Sequence, residues 1–206
     1  MFAKFELKGN VEGAIRSDEG MESIDKEMAD NSFKIQKKKL DAFLSERGFV
    51  KYKTNSYVRK NKVEVLEYID LQKERYGSKT FTVNYALISL CVPHSFLSFD
   101  LGDRLGELIC GKDIWWDYSD EKIAEISFQN IMDAINIYLI PWFDKREKNE
   151  MIKEELLKEK KKRENYGGRL SDIQQLWLDA IDSEDDFTEI INANMATFKL
   201  PKKCLE

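Results

Sequence analysis

The stretch TFTVNYAL, Thr80 to Leu87, alternates residue by residue: Phe81, Val83, Tyr85 and Leu87 share one side, Thr80, Thr82 and Asn84 the other. A period of two belongs to a strand that lays one side on a core and leaves the other polar, as antiparallel sheets do. The same period runs through Val63 to Gln72, where matching parity sends Val63, Val65, Ile69 and Leu71 inward. Tyr68, Asp70 and Gln72 then fall on the second side, beside Thr82 and Asn84. The two strands join through Arg75, Tyr76, Gly77 and Ser78. Ahead of them FVKYKTNSYVRKN reads as a shorter hairpin turning near Thr54, Asn55 and Ser56, because Asn and Ser hydrogen-bond their own backbone in turns.

An apolar sheet face has to be covered, and the flanking sequence turns helical. From Ser23 onward Phe33, Leu40, Phe43 and Leu44 recur at spacings of one helical face until Gly48 stops the run. Pro93 ends the last long strand, and His94 to Asp120 is a loop region holding one more strand around Arg104 to Cys110. Ser119, Asp120 and Glu121 then form an acidic first turn suited to the helix dipole. Ile123, Ile126, Phe128, Ile131, Ile135 and Leu139 line the apolar side of that helix, which is expected to terminate at Pro141. Residues 1–20 read as a loose leader, 21–146 as an α+β domain, and 147–206 as a helical extension. In the extension Leu170, Ile173, Leu176, Trp177 and Ile181 form one amphipathic run and Phe187, Ile190, Ile191 and Met195 another. The fold expected is α+β: a mainly antiparallel sheet of four or five strands packed against flanking helices, followed by that extension.

Four segments, LDAFLSERGF, YIDLQ, FTVNYAL and the pair DIWWDYSD with LIPWFDK, follow one another between residues 40 and 145. In order and spacing they resemble a bacterial family described as domain of unknown function 4304. The resemblance implies an α+β domain whose sheet is bounded by an N-terminal and a C-terminal helix, and it implies no reaction. Some similar small acidic bacterial domains serve as immunity or partner-binding proteins, which is an association of class and not a mechanism.

Charge bounds the function. The formal net charge of -5 opposes a general nucleic-acid coat, whose binding rests on neutralising phosphate. No segment approaches the roughly 20 apolar residues of a membrane span, and the first twenty residues lack the apolar run of a signal peptide. The compartment expected is the cytoplasm. Three cysteines, Cys91, Cys110 and Cys204, are odd in number and read as free thiols.

Several constellations compete for a role. CVPH sets Cys91 and His94 at the gap of a metal half-site, but a tetrahedral site needs a second close pair, which the isolated Cys110 and Cys204 do not offer. Asp100, Asp103, Glu107, Asp113, Asp117 and Asp120 surround the loop region, and with Asp70 they would suit a metal-dependent hydrolase or nuclease. Lys51, Lys53, Arg59, Lys60 and Lys62, interleaved with Tyr52 and Tyr57, have the ingredients of single-strand recognition; lysines on an outer hairpin equally protect an edge. The second sheet face is the preferred site. Tyr68, Asp70, Gln72, Thr82 and Asn84, bordered by Arg104, offer donors, acceptors and an aromatic ring to a polar partner. Trp115 and Trp116 sit in DIWWDYSD, and adjacent rings in an extended segment point in opposite directions, so Trp116 is expected to anchor the core and Trp115 to be exposed. The function expected is a non-catalytic binding protein with a protein partner, Trp115, Trp116, Tyr118 and Trp177 serving as aromatic anchors. No catalytic residue, metal or cofactor is expected, and the hydrolase is the alternative.

Overall fold

The structure, a computed structural model, describes residues 12–204, with the side chains of the first helix from Lys26 onward. That helix, α1, runs Glu12–Ser45. Residues 12–20, expected as part of a loose leader, are therefore helical, and residues 1–11 lie outside the described residues. Nucleation is the costly step in a helix, so a segment already fixed by packing extends backwards at little cost per residue. The packed part is plain: Ala29, Phe33, Leu40 and Leu44 are buried at spacings of four, seven and four.

Among the described residues six strands form one antiparallel sheet: β1 Val50–Lys53, β2 Ser56–Lys60, β3 Val65–Lys73, β4 Thr80–Ser89, β5 Leu101–Arg104 and β6 Trp116–Asp117. The first five are adjacent in chain order, and β6 pairs with the other end of β4. Register between β3 and β4 sets Asp70 opposite Asn84 and Gln72 opposite Thr82 on one side, Ile69 opposite Tyr85 and Leu71 opposite Val83 on the other. The parity read from the alternation holds.

Three local expectations fail. Arg104 to Cys110 is not a strand, since β5 ends at Arg104 and Leu105–Cys110 is a short helix, α2. Leu105, Leu108 and Ile109 recur at helical spacing, and Gly111 closes the helix at φ 68, a left-handed conformation open to glycine without penalty. Nor does the long helix end at Pro141. It continues from α3, Glu121–Ala134, through a π-helical turn, Ile135–Leu139, into α4, Ile140–Asp144. Proline lacks an N–H and its ring crowds the carbonyl four residues back, and the wider turn before it relieves both demands while the Ile140 N–H reaches the Ile135 carbonyl. The extra residue also keeps Ile131, Ile135, Leu139 and Phe143, spaced by four, wholly buried. Ile123 and Ile126, expected on the apolar side, are instead exposed; Phe128 is buried as expected, and Ala124 joins it on the inner side.

The remaining helices are α5 Asn149–Glu164, α6 Asp172–Ile181 and α7 Thr188–Phe198, followed by a 3-10 turn at Lys202–Cys204. They fold back on both sides of the sheet. Ile152, Leu156, Leu170, Trp177 and Leu178 join the main core beneath β3, β4, α1 and α3. Phe198 and Cys204 join a second cluster on the opposite face, with Val58, Leu66, Tyr68, Ala86, Ile88 and Leu90. Trp177 is only 2% exposed, so it is a core side chain and not an anchor for a partner. Tyr118, 6% exposed against Phe33 and Phe81, is corrected in the same way. No described helix is long and apolar enough to cross a membrane.

Candidate functional site: the polar strip on the second sheet face

Side chains directly opposite one another in an antiparallel pair stand about 5 Å apart, so strand register places them in rows across the sheet. One row on the second face crosses four strands: Ser56 is paired with Asp70, Asp70 with Asn84, and Asn84 with Arg104. The next row, Gln72 with Thr82, lies beside it. Beyond the first row on the other side come Val58, Tyr68 and Ala86, where the face turns apolar and is covered.

A chain of hydrogen bonds ties the strip together. The Tyr68 hydroxyl donates to Ser56 Oγ at 2.9 Å, which donates to Asp70 Oδ1 at 2.8 Å. Asn84 Nδ2 donates to Gln72 Oε1 at 3.1 Å and, more loosely, to Asp70 Oδ2 at 3.4 Å. Thr82 Oγ1 donates to the Ile114 carbonyl at 3.0 Å and so docks the segment that carries Trp115. Arg104 pairs with Asp113 and lies 5.3 Å from the Trp115 ring centroid, a cation–π contact. Burial, with the nearby Asp70 carboxylate, pushes the Tyr68 phenol up to about 12, so this hydroxyl remains a donor at any physiological pH.

The eight expected residues divide by exposure. Asp70, Gln72, Asn84 and Arg104 are half-buried and reach solvent, and Trp115 is 38% exposed. Tyr68 and Thr82 share the strip but are buried beneath its edges, so they position their neighbours and present little surface. Trp116 stands apart on the core face, 8% exposed, its ring 6.4 Å from that of Phe81. It is the anchor that the opposed geometry of adjacent rings requires, and it is not a binding residue. Two contributors carry no signal in the sequence. Ser56 has the look of a turn residue, yet it is the hub between Tyr68 and Asp70. Phe99, 49% exposed, packs against Tyr68 with ring centroids 5.0 Å apart and forms the aromatic border opposite Trp115. Nothing in its local pattern marks it, because its partner is distant in the chain.

The competing constellations disperse. The acidic-loop aspartates are engaged one by one: Asp100 accepts from the Ser89 N–H, Asp103 from the Arg104 N–H, Asp117 from the Ser119 N–H, and Asp120 from the Ile123 N–H at the start of α3. Among the described residues no three His, Cys, Asp or Glu side chains converge as a metal-binding group. The His94 side chain is 1% exposed and sets Nε2 3.0 Å from the Ser89 carbonyl and 3.3 Å from Asp100. The basic hairpin is largely paired: Lys51 with Asp41, Arg59 with Glu67, Lys60 with Glu64, Lys62 with Glu147. Tyr57 is buried with its hydroxyl on Asp41, so its ring is not a stacking platform.

A family model described as a domain of unknown function (DUF4304) matches residues 40–145, just over half of the chain. The match begins inside α1 and ends at the close of α4, so it spans all six strands and the whole polar strip. No curated protein and no solved structure matches the chain.

Proposed function

From the premise that the chain belongs to the DUF4304 family, with the polar strip inside the matched span, we propose that the strip holds a protein partner and that the chain acts by binding and not by catalysis. One observation carries the reading: three half-buried polar side chains from two adjacent strands, Asp70, Gln72 and Asn84, are pre-ordered by mutual hydrogen bonds, with Arg104 of the next strand held beside them by Asp113, yet the set keeps bonding capacity. Among the described residues Gln72 Nε2, Asn84 Oδ1 and Arg104 Nε and Nη2 have no partner in the fold. Pre-ordered groups lose little entropy when a partner engages them, and a neighbouring exposed tryptophan is a frequent source of binding energy. The negative balance of the chain suits a basic partner surface. An immunity-type or other partner-interaction role in the cytoplasm of a bacterium fits this chemistry. The hydrolase alternative requires convergent carboxylates, and the aspartates it would use are occupied separately.

Affinity capture from the source cells with the full chain tests the reading. A stoichiometric partner should be retained by the wild type and by Lys51→Glu on the outer edge, and lost with Trp115→Ala or with Gln72→Ala combined with Asn84→Ala. Recovery of no saturating partner, or equal loss with the edge variant, refutes it.

A further inference from the structure

The second sheet face changes character along its strands. Beyond the polar strip Val58, Leu66, Ala86, Ile88 and Leu90 are wholly buried, and α7 with the turn after it packs over them beside Val50, Tyr52 and Leu97. This cover lies outside the family match, at the end of the chain's described part. Its contact residues Ile191, Asn194, Met195 and Phe198 fall at i, i+3, i+4 and i+7, the stripe of a helix laid into an apolar groove.

The attachment is slight for an element that seals five apolar side chains. Within the cover only Asn194, Phe198 and Cys204 are fully buried, while Ile191, Met195 and Leu200 stay partly open. One polar key holds it in register. Asn194 Nδ2 donates to the Leu90 carbonyl at 2.9 Å and the Val92 carbonyl at 2.7 Å, and its Oδ1 accepts from the His94 N–H at 3.0 Å. At the far end the Tyr52 hydroxyl donates to the Phe198 carbonyl at 2.8 Å. A buried amide specifies one register more than it adds stability. The preceding helix is moored at Asp182 by Lys153, and the largely exposed acidic linker Ser183–Phe187 separates it from α7.

We propose that Thr188–Cys204 is a detachable cover: it opens as a unit without global unfolding and bares an apolar row that extends the partner strip, so that α7 occupies in cis a surface a partner helix of the same i, i+4, i+7 pattern can take. Elements held by few buried apolar contacts open at lower free energy than the core. Tyr68 couples the two halves, since its ring belongs to the covered cluster and its hydroxyl starts the hydrogen-bond chain of the strip. The partner half of the proposal rests on the binding role proposed above; the opening half does not.

Thiol labelling of the full chain, read site by site by mass spectrometry across low urea, tests the opening with no partner present. Cys110 is exposed and reports immediate reaction, while Cys204 is buried in the cover. Cys204 should label more slowly than Cys110, faster than global unfolding permits, and with a weak urea dependence. Asn194→Ala should accelerate Cys204 roughly tenfold, the effect of losing a buried hydrogen-bonded key, with little shift in the global midpoint. Protection of Cys204 equal to global unfolding, in both chains and with the full urea slope, overturns the cover. In the capture assay Asn194→Ala should bind the partner several-fold more tightly. Unchanged or weaker binding by a chain whose Cys204 does open overturns the cis-occupancy while leaving the strip intact.

Discussion

The two faces of the sheet are built from the same strands yet obey different rules. On the core face β3 and β4 present Val65, Ile69, Leu71, Phe81, Val83, Tyr85 and Leu87 to α1 and α3, and all are buried in one cluster. On the second face the same strands present Asp70, Gln72 and Asn84 to solvent and Leu66, Ala86 and Ile88 to a late C-terminal helix. The first face is closed by α1, α3 and the C-terminal helices and by aromatic edges: Phe33 meets Phe81, Tyr118 and Phe128 with ring centroids 5.0–5.2 Å apart. The second is closed only as far as α7 reaches. Where packing is complete a side chain's role is stability; where it stops, spare hydrogen-bonding capacity becomes available for recognition.

The sharpest way to break this contrast is to remove a ring from the closed face. Phe81 is wholly buried and touches four other rings. Phe81→Ala should cost about 3–5 kcal/mol in urea unfolding, the usual penalty for a large core cavity. A loss near that expected for an exposed site would deny that the two faces differ.

The closed face also buries a carboxylate, and it sets the next effect. Glu67 points inward, wholly buried, and burial pushes its carboxyl above the ordinary range while the Arg59 guanidinium draws it back. Among the described residues its Oε1 finds no hydrogen-bond partner. Arg59→Ala should cost about 3 kcal/mol because it strands a buried carboxylate, and adding Glu67→Leu should recover most of the loss. Denaturation midpoints of the two single variants and the double variant decide it: no recovery in the double would mean that Arg59 acts chiefly through its other contacts, the Arg47 carbonyl and Asp144.

The open strip should respond least in stability. Gln72→Ala and Asn84→Ala each remove a half-buried, partly solvated hydrogen bond, so each should cost under about 1 kcal/mol while weakening partner binding. A larger loss of stability would place these residues with the core and dissolve the distinction.

The period of two carried much of this into view. It assigned Asp70, Gln72, Thr82 and Asn84 to one face and their neighbours to the other, and pairing confirms each. The opposition of adjacent rings separated Trp116 from Trp115. What stayed hidden depends on contacts distant in sequence. The period says which side a residue faces but not what returns to cover that side, so Tyr68 looked open and Trp177 available. The two-residue β6 is too short to show alternation, and the passage through Pro141 depends on a π-turn whose reason is the spacing of Ile131, Ile135, Leu139 and Phe143 against the core. Ser56 and Phe99 acquire their roles only when β2, β3 and the loop before β5 come together.

The smallest effect expected is a dependence on pH at the margin between sealed and open surface. His94 sits where the end of β4, the loop before β5 and α7 meet, its ring 5.5 Å from that of Phe198. Burial opposes its charge, but the hydrogen bond and field of Asp100, with the Ser89 carbonyl, outweigh burial and raise its pKa above the ordinary value. Asp100 is the ionisable partner within bonding distance; α7 faces the ring with the uncharged Phe198, and β4 with a carbonyl. A raised folded pKa means that the folded chain binds the proton more tightly than the unfolded one. The stabilisation is therefore complete below about pH 6.5, the unfolded value, and is lost as pH climbs through the higher folded value. Urea midpoints should fall gently over that upward interval, and Asp100→Asn should flatten the profile because it removes the charge that favours the imidazolium. A midpoint that rises across the same interval would reverse the sign and show that burial, not Asp100, governs His94.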